Sequence, residues 1–108
     1  MAYDEDLAER IRERVAGEDG LTEKRMFGGL AFLINGNMAV SASGQGGMLL
    51  RVDPAQTEEL ITAPHARRFE MRGRKMDGWL RIDPIASDAE LARWVGVGVA
   101  YARSLPPK

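Results

Sequence analysis

No cysteine occurs among these 108 residues. Disulfides, thiolate metal sites and cysteine nucleophiles are therefore excluded, and redox chemistry says nothing about compartment. Histidine is almost as scarce, with His65 alone, so neither a histidine-rich metal site nor a histidine pair is available. No apolar run approaches the roughly 18 residues that a membrane span requires. The N-terminus Met1-Ala2-Tyr3-Asp4-Glu5-Asp6 is acidic and has no apolar segment of the signal-peptide kind. A cytoplasmic location is the default expectation. Net charge is only −1, which argues against a protein whose affinity comes mainly from neutralising phosphates. A Walker A run and a nucleophile elbow are also missing, and Gly44-Gln45-Gly46-Gly47 completes no dinucleotide fingerprint. That stretch reads as a turn.

What is present is an ordinary globular composition, 44% hydrophobic and 29% charged, in a chain long enough for one domain with one core and no need of staples. Its charge is unevenly spread. Residues 1–20 carry seven acids against three arginines, whereas residues 65–81 carry Arg67, Arg68, Arg72, Arg74, Lys75 and Arg81 against Glu70 and Asp77. Such polarity steers a partner or pairs within the fold.

Residues 24–40 hold the strongest structural signal. Asn35-Gly36 joins two apolar runs, and these two residue types best tolerate the positive φ values of a type I′ hairpin. A two-residue loop there sets Leu33 opposite Met38 and Ala31 opposite Val40, which predicts Ala31, Leu33, Met38, Val40 and Ala42 as the core face. The other face, with Leu30, Phe32 and Ile34, is more apolar than a solvated surface and asks for a cover. Adjacent Gly28 and Gly29 mark a bulge or a close backbone approach.

Around this hairpin, Leu7, Ile11 and Val15 make the stripe of a helix over 4–16 with Asp4 as N-cap, and Asp6 is placed to pair with Arg10. One strand is expected to enter at 22–26 and, interrupted at Gly28-Gly29, to continue through 30–34, with further strands at 37–42, 48–52, 68–72 and 79–82; the 68–72 strand sets Phe69 and Met71 inward and Arg68 and Arg72 toward solvent. A short helix follows Asp53-Pro54. Ser87-Asp88-Ala89-Glu90 is a capping box opening a last helix whose buried face is Leu91, Trp94, Val95, Gly98, Ala102 and Leu105. Gly96 and Gly98 each cost about 1 kcal/mol in a helix interior, so both are expected to serve close packing. The expected class is α+β, written α-β(3)-α-β(2)-α, an antiparallel sheet with helices on one face.

Chemistry-bearing residues are few. His65, after Pro64 in a polar connection, reads as a surface loop residue. Asp53-Pro54 and Asp83-Pro84 end two strands, where an Asp accepts backbone N–H bonds and Pro fixes the turn. Met71, Met76 and Trp79 read as core. The basic run from Arg67 to Lys75 is either a contact surface or a solvated strand face.

The run Arg25-Met26-Phe27-Gly28-Gly29-Leu30-Ala31-Phe32 with Asn35-Gly36, and later Arg68-Phe69-Glu70-Met71 and Lys75-Met76-Asp77-Gly78-Trp79-Leu80, resembles the TfoX/Sxy N-terminal domain family. The resemblance covers nearly the whole chain. It implies the two-layer α-β(3)-α-β(2)-α fold and a stand-alone N-terminal domain. The family's namesakes regulate competence genes as co-regulators beside a cyclic-AMP receptor-type transcription factor and carry a further C-terminal domain. No catalytic residue is attached to the motif.

The expectation is thus a non-enzymatic regulatory domain with a protein partner, of the transcription co-regulator kind, and with no cofactor or metal. Its candidate contact residues are Phe27, Gly28 and Gly29 at one edge and Arg68, Arg72, Arg74 and Lys75 on the basic strand-turn. A small-ligand protein or an enzyme is the alternative, with His65, Asp53 and Asp83 as its only candidates. Direct DNA binding ranks last on charge. The surplus of Leu30, Phe32, Ile34, Val97 and Tyr101 raises a homodimer as a separate expectation.

Overall fold

The computed structural model describes every residue except Met1, Ala2, Phe27, Arg72 and Ala86, and leaves aside the side chain of Met71. The expectations placed on Phe27, on Arg72 and on an inward Met71 lie outside the described residues. In chain order the elements are α1 (Glu5–Val15), β1 (Leu21–Met26), β2 (Gly29–Ile34), β3 (Asn37–Ala42) and β4 (Met48–Arg51). A 3-10 turn (Pro54–Gln56) then leads into α2 (Thr57–Leu60), followed by β5 (Ala66–Met71), β6 (Arg74–Ile82) and α3 (Asp88–Ser104). The strands make one antiparallel sheet in the order β1-β2-β3-β4-β6-β5.

The α+β class and the helix order hold. The strand count rises by one, because Met26 pairs with Gly29 across a chain reversal and so makes β1 and β2 separate strands. The close approach expected at the glycine pair is present: a Cβ on Gly29 would strike the Ala42 carbonyl, and one on Gly44 would lie 2.6 Å from the Gly28 carbonyl oxygen. The sequence-read starts of β5 and β6 fall late, since β6 begins at Arg74.

Local chemistry starts the helices as expected. Asp4 Oδ1 accepts the Leu7 N–H at 3.1 Å, and Ser87 Oγ accepts the Glu90 N–H at 3.1 Å. Arg10 takes its carboxylate from α3 rather than from its own helix, with Nη2 at 2.6 Å from Asp88 Oδ1. The Asn-Gly hairpin forms with φ of 53° at Asn35 and 85° at Gly36, the signs a type I′ turn needs. It is held from outside the sheet too, because Lys108 N donates to Asn35 O at 2.8 Å and Asn37 Nδ2 donates to Pro106 O at 2.9 Å.

The face assignment of this hairpin is corrected. Leu33 does pair with Met38, but the next step pairs Phe32 with Val40, leaving Ala39 as an extra residue in β3. A bulge of this kind turns the two sides of a strand over. Leu30, Phe32 and Ile34 therefore join Val40 and Ala42 against α1 and α3, in a core completed by Ile11, Leu50, Leu80, Leu91 and Trp94. Ala31, Leu33 and Met38 lie on the opposite face. Leu30, Phe32 and Ile34, three of the residues that raised a second copy of the chain, are thus already covered by its own helices, whereas Val97 and Tyr101 stay half-buried on α3.

Gly98 is where α3 meets the bulge: an added Cβ would sit 2.6 Å from the Ala39 carbonyl oxygen and 2.8 Å from Val40 Cγ1. Gly96 is exposed and a Cβ there meets nothing within 4 Å, so close packing explains the first glycine and not the second. On the outer side of α1, the Arg12 guanidinium clamps Glu23 of β1 with Nε–Oε2 at 2.7 Å and Nη2–Oε1 at 2.9 Å. This forked hydrogen bond holds the Glu23 carboxyl below its ordinary pKa, with partial burial opposing.

Two expected outcomes follow from this packing. In urea denaturation, Gly98→Ala lowers stability by about 1–3 kcal/mol through overpacking, whereas Gly96→Ala raises it by about 0.5–1 kcal/mol; equal effects would mean that α3 does not seat on β3 at Gly98. Because Glu23 binds a proton less readily folded than unfolded, its contribution is present above the unfolded carboxylate value of roughly 4.3 and is lost as pH falls through the lower folded value. Wild type should therefore exceed Glu23→Gln in stability at neutral pH, and the gap should close in acid; a gap that widens in acid would contradict the clamp.

Candidate interaction surface

With α1 and α3 on one side, the other side of the sheet keeps a concave apolar groove of about 290 Å³. Its walls come from every strand: Met26 of β1, Ala31 of β2, Met38 of β3, Leu49 of β4, Trp79 of β6 and Phe69 of β5. Met76 also lines it, opposite Phe69 across the β5–β6 pair. The reading of Met76 and Trp79 as core is corrected accordingly: they are half-buried on the open face. The physical reason is an irregularity in β6. Arg68 pairs with Leu80 and the next residue, Phe69, with Met76, so three residues of β6 have no partner in β5, although Trp79 among them pairs with Arg51 of β4. Gly78, at φ of 87°, turns this stretch, and its N–H donates to Thr57 Oγ1 at 2.8 Å while its carbonyl accepts from Val52 N at 2.9 Å.

Of the residues proposed from sequence as a contact region, Gly29 lines this groove. Phe69 and Met76, which flank the β5–β6 turn carrying Arg74 and Lys75, line it as well. Gly28, Arg74 and Lys75 are exposed, and among the described residues no ion pair is formed by either cation. Arg68 is differently placed. It shares a face with Leu80 and Leu50, the helix side, and is bound to Asp77 at 2.8 Å with Glu58 of α2 at 3.8 Å. Its side chain is 23% exposed, so the solvent-facing position read from alternation is corrected by the β5–β6 register.

Arg81 and Arg67 continue the open face. Leu49 pairs with Arg81, and Arg81 pairs with Arg67, so an apolar wall passes directly into two cations. Arg81 Nη2 donates to the carbonyls of Gln45 at 2.9 Å and Gly46 at 2.5 Å, Nη1 donates to Ser43 Oγ at 3.3 Å, and the nearest carboxylate oxygen, on Asp83, is 3.8 Å away. These bonds fasten the 43–47 turn to β6. Arg51 instead stacks 5.7 Å from the Trp79 ring and 5.9 Å from that of Tyr101, a cation held by aromatic faces.

The acid–base candidates stay apart from the groove lining. His65 is exposed at φ of 68°, with Nδ1 3.4 Å from Glu90 Oε1. Asp53 caps the 3-10 turn by accepting the Ala55 N–H at 2.9 Å, as its place before Pro54 implies. Asp83 lies beside Arg81, and its backbone N–H donates to His65 O at 3.1 Å. Among the described residues no three His, Asp or Glu side chains gather as a metal-binding group, and no helix is long and apolar enough to cross a membrane.

Sequence reasoning missed Ala31, Met38 and Leu49 as groove residues. The usable signal was apolar side chains on both faces of the 30–42 hairpin, which called for two packed surfaces; the bulge that decides which is which leaves no turn residue to read.

Fold and surface define a small two-layer α+β domain with one sheet face covered by helices and the other open. The model for the TfoX N-terminal domain matches residues 13–102, and the chain belongs to that family. No curated protein and no solved structure matches it.

Proposed function

We propose that this domain is a regulatory module of the competence-regulator kind that works by holding a protein partner across the open face of its sheet. One observation carries this reading. Met26 and Gly29 of one family-motif stretch and Phe69, Met76 and Trp79 of the other line one apolar groove on the sheet face that α1 and α3 leave free. Buried surface is already supplied by the helix side, so apolar side chains on the second face are not needed for the core, and exposed apolar patches of this kind mark contact surfaces. Arg74 and Lys75 at the rim add charge that no carboxylate within the described chain neutralises, which suits the polar margin of an interface. Membership of the TfoX N-terminal domain family supports the regulatory part of the reading.

Affinity capture of the tagged domain from a nuclease-treated native lysate tests it, with Arg74→Ala/Lys75→Ala alongside. A stoichiometric protein should be retained by wild type and its recovery reduced about tenfold in the double variant, the equivalent of roughly 1.4 kcal/mol, with the thermal midpoint unchanged. Equal recovery by both, or loss of the partner on nuclease treatment, would contradict the assignment.

A further inference from the structure

On the same open face, where the protein partner is not bound, we propose that the groove binds a small anionic amphiphile, a free carboxylic acid with an apolar chain or ring, with its body against Leu49, Phe69 and Trp79 and its carboxylate between Arg67 and Arg81. Three observations converge on that chemistry. The apolar groove of about 290 Å³ and a second cleft of about 290 Å³ share Phe69 in their linings, and the second is otherwise lined by Gln45, Arg67, Arg68, Glu70 and Arg81. Each is at the lower edge of the roughly 300–1,000 Å³ usual for ligand sites.

The second observation concerns charge. Arg67 and Arg81 are direct cross-strand partners, and like charges in that position repel. Arg81 is only 11% exposed, its Nη2 and Nη1 donate to two carbonyls and a hydroxyl, and its carboxylate neighbour, Asp83, stands off at 3.8 Å, so its charge is only partly offset. Arg67 is exposed and forms no ion pair among the described residues. An anion between the two would relieve the repulsion and accept charge-assisted hydrogen bonds from guanidinium groups. Thirdly, the register places apolar wall and cations in one continuous row, Leu49 to Arg81 to Arg67, the polarity an amphiphile matches end to end. Methionines in the wall, Met26, Met38 and Met76, let it adapt to chains of different shape.

Decanoate and decyltrimethylammonium, titrated below micelle formation into the whole protein and followed by calorimetry and tryptophan fluorescence, test the proposal. Trp79 lines the groove whereas Trp94 is fully buried in the core, so the optical signal should come from Trp79 and be lost in Trp79→Phe. Decanoate should bind once per chain, at least tenfold tighter than the cation of equal chain length, and Arg67→Glu should weaken it at least tenfold. Failure of decanoate to bind, equal binding of both head groups, or an unchanged affinity in a folded Arg67→Glu would overturn it. If that variant did not fold, head-group selectivity in the wild type would still decide. Arg74→Ala/Lys75→Ala should leave decanoate binding intact, so this site and the protein contact at the rim can fail separately.

Discussion

At Ala39, β3 carries one residue more than β2, and its carbonyl is turned to where α3 passes closest. Everything on either side of the sheet follows from that extra position. Gly98 admits the helix because no Cβ stands between its backbone and the Ala39 carbonyl oxygen. Val40 then joins Phe32 in the core, while Met38, two residues earlier in the strand, is left with Ala31 and Leu49 on the other side. A strand that kept strict alternation would send Met38 and Val40 the same way. Splitting them gives the helices a continuous apolar floor and leaves a second apolar surface without a helix to cover it.

That second surface is shaped by another irregularity. The break in β5–β6 pairing around Gly78 brings Met76 and Trp79 to one face, although three positions apart in a regular strand would put them on opposite faces. Bulges are a usual means of re-aiming side chains beside a site. Here two of them, in neighbouring parts of one sheet, build a core on one side and a groove on the other. The ion pairs of Arg10, Arg12 and Arg103 stay on the helix side or its margins, and being largely exposed they contribute orientation more than stability.

Much of this was legible in the residues, and what was not has a common cause. Local chemistry carried its own signal: Asp4 and Ser87 as caps, Asn35-Gly36 as the hairpin, Asp53-Pro54 as a helix start, and the stripe Leu7, Ile11 and Val15 all appear where their types and spacing place them. The groove was half legible. Gly29, Phe69 and Met76 were marked by motif, but that they line one groove with Leu49 and Trp79 depends on strand order, which no local pattern encodes. Bulges are harder still. Ala39 has no distinguishing chemistry, so alternation set Met38 on the wrong side; in β6 the irregularity sits at Gly78, and alternation set Arg68 toward solvent while Met76 and Trp79 were read as core from their apolar character. Gly96 shows the opposite limit: helix propensity flagged it, and nothing in its surroundings explains it.

The absence of cysteine makes the central claim directly measurable, since a single introduced thiol is unambiguous. Met38→Cys and Val40→Cys, treated with a maleimide under native conditions, report the two sides of β3 at positions that a regular strand would render equivalent. The account predicts rapid labelling at position 38 and labelling at position 40 only at the rate of unfolding. Comparable rates at both positions would mean that Ala39 is not a bulge, and the separation of core from groove would fall with it.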